Sequence, residues 1–478
     1  MRPIDAGRPI DGSRPIDAGR IGVVGDSGGA PAPDSPVSPT DTAAWRLGAA
    51  ATTTSYAGFA LTALGLVLAR PDVAVIGAAL LVGLLWDAAA ARAPTRLIRR
   101  ELPRHLGEEG RIRETLGAAP APGGGLLRLR VSADGYRDGA ALAAVPAAGR
   151  TLQVRVDTAR TGLHRVFRVD WLAASPAAAL QTPARTSGER AILVLPGARM
   201  LHELPLPFRL QGLTGAHSGR RPGEGGDLRD VSLFAPGDRL RRIDWRVTAR
   251  RSGEHGGAVR DLYVRRDFAM ADAVVMLVVD SRDEIGPDIE TWSGSLAQRP
   301  DEASSLDLAR EAAASLARHY LRGGDRVGLD DLGQLSRPVA PAGGAAQLRR
   351  LTHRLAVLAP EGAPRPHRRA PQVPSGSLIA LFSTFLDSDA ATLARLWRRA
   401  GHRVIAVDVL PDPLRVQLPA ALSTAHRIVM MERADRVDDL ARAGIEVVRW
   451  PAAVPGRQPG ADAAVALSAL ARTRGARR

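Results

Sequence analysis

The sequence predicts an α/β protein: a doubly wound, largely parallel sheet in the C-terminal half, preceded by a two-helix membrane hairpin and a small β-rich domain. Three observations predict it. Ala273–Asp280, AVVMLVVD, is a continuous apolar run ending in a carboxylate, as a strand covered on both faces reads. Beyond it, short apolar runs alternate with stretches of helical period as far as residue 450. Far upstream, Leu47–Ala69 carries no charge. As a helix rising about 1.5 Å per residue it is long enough for a hydrocarbon core roughly 30 Å thick.

The elements follow in order. Residues 1–42 open on the repeat RPIDAG, RPIDGS, RPIDAG and stay rich in Pro, Gly, Ser and Asp. A proline in every repeat forbids a helix, and the apolar content is too low for a core, so this segment is expected to be a disordered tail. It lacks the basic-then-apolar order of a secretory signal peptide. Residues 43–100 hold the hairpin. After the Arg70-Pro71-Asp72 break, a second span runs Val73–Ala91 with Asp87 as its single charge and Trp86 near one interface. Arg46 precedes the first span, and Arg92, Arg96, Arg99 and Arg100 follow the second. The positive-inside rule then places both ends, and the soluble domains, in the cytoplasm, with the chain in the cell membrane.

Residues 101–212 read as a β-rich, sandwich-like domain. LLRLRVSADGY, RTLQVRVDT, HRVFRVDWLAA and RAILVLPGA supply its strands, the first two with period-two alternation. Residues 213–270 form a linker, and 271–478 the α/β domain. Its expected helices include Ser304–Leu321, ended by Gly323 and Gly324, with others near Ala345–Leu358, Asp389–Ala400 and Asp435–Ala443.

The net charge of +15 would ordinarily point to nucleic acid, but the chain has no lysine and no asparagine, so every one of its 65 basic residues is arginine. A GC-rich genome explains that bias, and no nucleic-acid partner is expected. The absence of cysteine excludes disulfides, thiolate metal sites and a cysteine nucleophile.

Parallel sheets bind ligands at the carboxyl ends of their strands, which makes Asp280 the first residue to examine. A first strand ending in Asp resembles the von Willebrand factor A fold, whose ion site uses Asp-x-Ser-x-Ser, a loop threonine and a further Asp. The chain reads Asp280-Ser281-Arg282-Asp283-Glu284, with Ala345 and Ala346 where the threonine would stand and Asp387 as the further carboxylate. Two readings stand. One is a metal-free remnant in which Arg282 neutralises Asp280. The other is a Mg²⁺ site drawing on Asp280, Ser281, Asp283, Glu284 and Asp387. No cofactor is expected, with Mg²⁺ the alternative. Other signatures are weak. There is no P-loop and no HExxH, and His202-Glu203 reads as packing. Gly25-Asp26-Ser27-Gly28-Gly29 fits GxSxG but lies in the tail, without the strand-turn-helix a nucleophile elbow needs. The adjacent pairs Asp330-Asp331 and Asp438-Asp439 read as solvated. No catalytic residue is assigned.

FAPGDRLRRIDWRVTARR, from Phe234 to Arg251, concentrates six arginines and two aspartates. Pro236-Gly237-Asp238 reads as a turn, with Asp238 capping a helix that places Leu240, Ile243 and Val247 on one face and Trp245 and Ala249 beside them. Asp238 stands three and four residues before Arg241 and Arg242, and Asp244 three after Arg241, at ion-pair spacings. Together with LYVRRDF and VVMLVVDSRDE, this stretch resembles the bacterial family called domain of unknown function 58. The signature maps onto Pro236, Gly237, Asp238, Arg241, Ile243, Asp244, Trp245, Ala249 and Arg250. The resemblance implies a von Willebrand A-like domain in a membrane-anchored protein. It also implies a MoxR-type AAA ATPase and membrane proteins as partners, and a role in the assembly or maturation of other proteins. The expected function is a non-enzymatic adaptor; a metal-assisted hydrolase using Asp280, Glu284 and Asp387 is the alternative.

Overall fold

The computed structural model describes residues 21–26, 44–91, 94–99, 105–106, 111–119, 124–211, 215, 217–253, 261–293, 298–333, 337–361, 370–414, 418–452 and 461–472. The chain divides into two compact units, Met1–Val194 with Gln298–Glu302, and Leu195–Ala297 with Ala303–Arg478.

In the first unit the two apolar stretches form α1 (Ala49–Val67) and α2 (Pro71–Ala90), both long and apolar enough to cross a membrane. Proline stands at the first position of α2, where its missing N–H costs nothing. The helices approach backbone to backbone because glycines line the seam. A Cβ at Gly65 would lie 2.3 Å from the Ala74 nitrogen, and one at Gly77 2.5 Å from the Thr62 nitrogen. Tyr56, Phe59, Leu66, Ile76, Leu85 and Trp86 point outward and are exposed.

Asp87 lies at the buried end of α2. Its carboxylate accepts hydrogen bonds from Ser175 Oγ, from the Ala177 N–H at 2.9 Å and from the Ala179 N–H at 3.1 Å. The other end of the hairpin meets the same loop, where the Gly48 N–H donates to Ala179 O at 2.9 Å and Arg46–Leu47 pairs with Leu180–Gln181. One loop of the β-rich unit thus brackets both feet of the hairpin. Asp87→Ala removes an acceptor from three donors and is expected to cost about 1 to 2 kcal/mol. The check is faster amide exchange at residues 175–181, with α1 and α2 still helical.

The rest of this unit is β structure. Its strands pair in a four-stranded sheet (order 22–26, 150–157, 111–118, 97–99), a larger sheet built on 125–132, 139–145 and 168–174, and a three-stranded sheet of 105–106, 190–194 and 162–166. The alternation expected of residues 126–131 is observed: Leu127, Leu129 and Val131 are buried, while Arg128 and Arg130 are exposed. HRVFRVDWLAA divides into two strands, because Phe167 between them has φ of +57° and is fully buried. Gly22–Asp26, expected within the disordered tail, forms a strand antiparallel to Arg150–Asp157, and Ile21 beside it is buried. The remainder of that tail, residues 1–20 and 27–42, lies outside the described residues.

The second unit centres on six strands: β1 (Val274–Val279), β2 (Arg326–Asp331), β3 (Val339–Ala342), β4 (Leu378–Ser383), β5 (Arg403–Asp408) and β6 (Glu446–Arg449). Their order is β3-β2-β1-β4-β5-β6, parallel throughout except for the antiparallel edge strand β3. Among the described residues this unit has six α-helices: α3 (Trp245–Gly253), α4 (Ser305–Arg322), α5 (Gly344–Ala356), α6 (Asp389–Arg399), α7 (Ala420–Arg442) and α8 (Ala461–Arg472). Alternate residues of β1 enter opposite cores. Val275, Leu277 and Val279 meet α4, α5 and α8, whereas Met276 and Val278 meet α6 and α7. Every residue of β1 is therefore buried, which is why the run lacks alternation. Ser304 and Asp307 close a capping box at the start of α4.

Four boundaries differ from the sequence reading. Residues 195–212, expected to end the β-rich domain, belong to the second unit, where Leu201 and Leu204 enter the core and Tyr320 Oη donates to Pro205 O at 2.6 Å. The expected linker 213–270 contains a two-stranded antiparallel ribbon of His217–Leu233 and Tyr263–Ala271. Helix α7 starts 15 residues before Asp435, and α8 was not anticipated at all.

Candidate functional site

Strand order reverses between β1 and β4, the switch point at which an open parallel sheet leaves a crevice at its carboxyl edge. Asp280 sits there. Its N–H donates to Phe382 O at 2.9 Å, and its Oδ2 accepts from Ser383 Oγ at 2.7 Å, so the last residue of β4 orients it. Two arginines of α7 shape the loop after β4. Arg433 Nε donates to Thr384 O at 2.7 Å while its guanidinium pairs with Asp408 at the end of β5, and Arg436 donates to Phe385 O and Leu386 O. This loop delivers Asp387 and the first residue of α6, Asp389.

Arg282 occupies the centre. Nε donates to Asp280 Oδ1 at 2.7 Å and Nη2 to Asp280 Oδ2 at 2.8 Å, a bidentate pair. Nη2 also reaches Asp387 Oδ1 at 3.1 Å, while Nη1 lies 2.9 Å from both Asp387 Oδ2 and Asp389 Oδ2. The side chains of Arg282 and Asp280 are nearly sealed from solvent, at 5% and 3% exposure. Burial disfavours the Arg282 charge, but the hydrogen bonds and charges of Asp280 and Asp387 together more than offset this, and the guanidinium is held above its ordinary pKa.

The other ion-site candidates are engaged elsewhere. Ser281 Oγ donates to Asp331 Oδ1 at 2.6 Å, Glu284 accepts from Ser304 Oγ at 2.7 Å, and Asp283 accepts from Thr384 Oγ1 at 3.5 Å. Burial first, then the charges of Asp280 and Asp387, push the Asp283 carboxyl up to about 7. Ala345 lies in the first turn of α5. The Mg²⁺ reading does not fit this donor set, because a guanidinium fills the space between Asp280 and Asp387. Among the described residues no cluster of three His, Asp or Glu is placed to hold a metal. Sequence reasoning joined Asp280, Arg282 and Asp387 but missed Asp389 and Thr384; the signal was the run TFLDSD directly after β4. Asp330 and Asp331, read as solvated, are buried at the end of β2, and burial raises the Asp331 carboxyl.

The signature stretch forms a second feature. Leu240–Arg242 is a 3₁₀ turn, and α3 begins only at Trp245. Asp244, not Asp238, caps it: Oδ1 accepts from the N–H groups of Arg246 and Val247, both at 3.1 Å. Asp238 turns to the ribbon, accepting from the Ala235 N–H and from Arg266 Nη2, both at 2.9 Å, and Arg266 holds its carboxyl below the ordinary range. Ile243 is buried and bridges Val264, the Asp244 N–H donates to Tyr263 O at 2.8 Å, and buried Thr248 Oγ1 accepts from the Tyr263 N–H at 3.1 Å. Trp245 and Leu240, expected against the core, are 65% and 69% exposed. The helix starts six residues later than expected, so Leu240 lies in the 3₁₀ turn and Trp245 opens the helix. A concavity of about 340 Å³ lies here, lined by Arg241, Arg242, Ile243, Asp244, Trp245, Arg265 and Asp267.

The signature and the β1 edge fall in one stretch of sequence, and residues 230–434 match the family described as "Protein of unknown function DUF58". This stretch of the chain is similar to the DUF58 family. Uncharacterized proteins of Mycobacterium bovis and of two strains of Mycobacterium tuberculosis are 30% identical to it over 238 residues. That match spans 49% of this chain and 64% of each relative. The DUF58 match takes in the ribbon from Asp230, α3, the Arg282 cluster and all but the last turns of α7.

A larger concavity, about 410 Å³, lies beside the C-terminal end of α4, lined in part by Glu203, His217, His319, Tyr320, Asp325 and Arg472. His217 Nε2 lies 3.0 Å from Asp325 Oδ1, and that carboxylate raises the imidazole pKa. Asp325 Oδ1 also accepts from the Ala273 N–H, so the pair ties the ribbon to the start of β1.

Proposed function

We propose that this chain is a membrane-anchored, non-enzymatic adaptor that docks a MoxR-type AAA ATPase through its DUF58 signature, in the assembly or maturation of other proteins. The observation that carries it is the exposure of Trp245 and Leu240 in a motif whose Ile243, Asp244 and Thr248 are committed to the fold. A tryptophan left outside a well-anchored helix, ringed by arginines, is the composition of an interface hot spot. The length and apolarity of α1 and α2 support a hairpin in the cell membrane, with both ends cytoplasmic by the arginine flanks. The strand order and the acidic end of β1 support a von Willebrand A-like head.

Trp245→Ala tests this. The variant is expected to keep the wild-type melting midpoint, since an exposed side chain contributes little to stability. It is expected to recover roughly tenfold less AAA ATPase on co-purification from detergent, as loss of a hot-spot aromatic does. Wild-type protein that repeatedly co-purifies without any AAA protein sinks the partner. A variant that unfolds makes the motif structural. Full-length protein left in the supernatant after ultracentrifugation sinks the anchor.

A further inference from the structure

We propose that the open edge of the strand Gly139–Val145 pairs antiparallel with the same edge of a second copy of this chain, about a two-fold axis through Leu142. The larger sheet of the β-rich unit then runs on into its partner's. The pairing is independent of which partner the signature docks.

Among the described residues, this strand ends its sheet: it pairs with 125–132 on one side and with no strand on the other. An open edge invites another strand, and proteins guard such edges with charge, proline or short length. Other edges of the molecule are guarded in these ways. Val339–Ala342 carries Pro341, Glu446–Arg449 is bounded by opposite charges, Gly162–Val166 holds His164 and Arg165, and Leu97–Arg99 has three residues. Gly139–Val145, GAALAAV, has seven residues, no charge and no proline. Ile21 sits only at its start, where the Ile21 N–H donates to Arg137 O at 3.3 Å. Beyond that point Ala140, Leu142 and Ala144 are exposed, Leu142 at 64%. Ala144 O is turned to Arg150 Nη1, 3.0 Å away, and backbone groups alternate sides along a strand. The N–H and C=O groups of Ala140, Leu142 and Ala144 therefore lie on the open side.

The occupant is a second copy because this edge complements itself. Ala140–Ala144 reads Ala-Ala-Leu-Ala-Ala in both directions. Antiparallel pairing thus sets Leu142 opposite the partner's Leu142, and Ala140 opposite the partner's Ala144. An isologous contact demands such self-matching. The leucine pair leaves water on docking, and the small residues flanking it leave room for it. Charge agrees with this register. Arg150 stands beside Ala144 at one end of the edge, and exposed Asp138 precedes Ala140 at the other. The two-fold axis brings Arg150 of each copy towards the partner's Asp138.

Full-length protein in detergent at tens of micromolar is expected to be a dimer by light scattering. Leu142→Lys is expected to be a monomer with an unchanged melting midpoint, because like charges would face each other across the axis. The chain has no cysteine, so introduced ones report the register cleanly. Leu142→Cys is expected to form an intermolecular disulfide on mild oxidation, since the Cα atoms of a hydrogen-bonded pair lie about 5.5 Å apart. Ala140→Cys alone is expected to stay unlinked, and to link when mixed with Ala144→Cys. A monomeric wild type overturns the proposal, and so does a Leu142→Lys protein that is still dimeric. Linking by Ala140→Cys alone as readily as by Leu142→Cys also overturns it, because the register would be wrong. So does a wild type that becomes dimeric only when residues 2–20 are removed, since the chain's own tail would then close the edge. If Leu142→Lys does not fold, the cysteine variants decide: linking at Leu142→Cys supports the pairing, and its absence rejects it.

Discussion

Replacing Glu114 with alanine is expected to weaken the β-rich unit by about 3 to 5 kcal/mol, because it strands a buried charge. Glu114 is almost fully buried on the strand 111–118, and Arg99 grips it through Nε at 2.6 Å and Nη2 at 2.7 Å. The rest of that guanidinium is spent on structure. Nη1 donates to Ser187 Oγ at 2.9 Å and Gly188 O at 2.6 Å, and Nη2 to Phe167 O at 2.8 Å. Phe167 is the left-handed residue that divides two strands, a conformation costing a non-glycine residue about 1 to 2 kcal/mol. Arg99 thus holds the carbonyl of the strained residue while Glu114 holds Arg99. The variant leaves an uncompensated guanidinium beside buried Phe167, with Arg190 adding to the positive charge, 3.7 Å from the missing carboxylate. Amide exchange at residues 111–118 and 150–157 measures the effect. A loss below about 1 kcal/mol would mean that water reaches the site and the ion pair is not the lock inferred.

The second large effect depends on pH. Asp283 has its carboxyl pushed up to about 7, by burial first and by the charges of Asp280 and Asp387 next, against about 3.9 for an unstructured chain. The folded protein therefore holds this proton more tightly than the unfolded one. The stability it contributes is fully present below about pH 4 and is lost as pH rises towards 7. Asp283→Asn keeps the group neutral at every pH. Its stability relative to wild type is expected to be near zero at about pH 4 and to climb to about 2 to 3 kcal/mol by pH 8, trimmed by the solvent that still reaches the residue. Urea unfolding of both proteins across that range reads the difference directly. A gap that stays flat with pH would show that the carboxyl ionises as easily when folded as when unfolded.

How legible the candidate site was depends on the residue. Asp280 could be found because it ends a run of six buried apolar residues, and Asp387 because it follows the next such run. The neutralising role of Arg282 was one of two open readings, and Asp389 escaped notice because an aspartate at a helix start reads as an ordinary first-turn charge. In the signature, turn and cap chemistry was recognised but assigned to the wrong aspartate. Asp238 and Asp244 both satisfy the spacing rules, and the choice was made by Arg266 on the ribbon strand 28 residues further on. Asp87 looked like a lone charge near the end of a membrane span; its acceptor role depends on residues 88 to 92 positions later.

The amino-acid sequence alone determined the hairpin, the alternation of strand and helix after residue 270, and the buried central strand ending in Asp280. Each is a matter of local period: whether a residue is apolar relative to neighbours two, three or four positions away sets which face it shows. Tertiary structure alone decided that Arg282 gathers three carboxylates, two of them 105 and 107 positions away, and that Trp245 faces outward while Ile243 faces in. Those outcomes turn on where β4 lies beside β1 and where the ribbon lies under α3. Strand order is chosen by the packing of the whole domain, and no short window of sequence carries it.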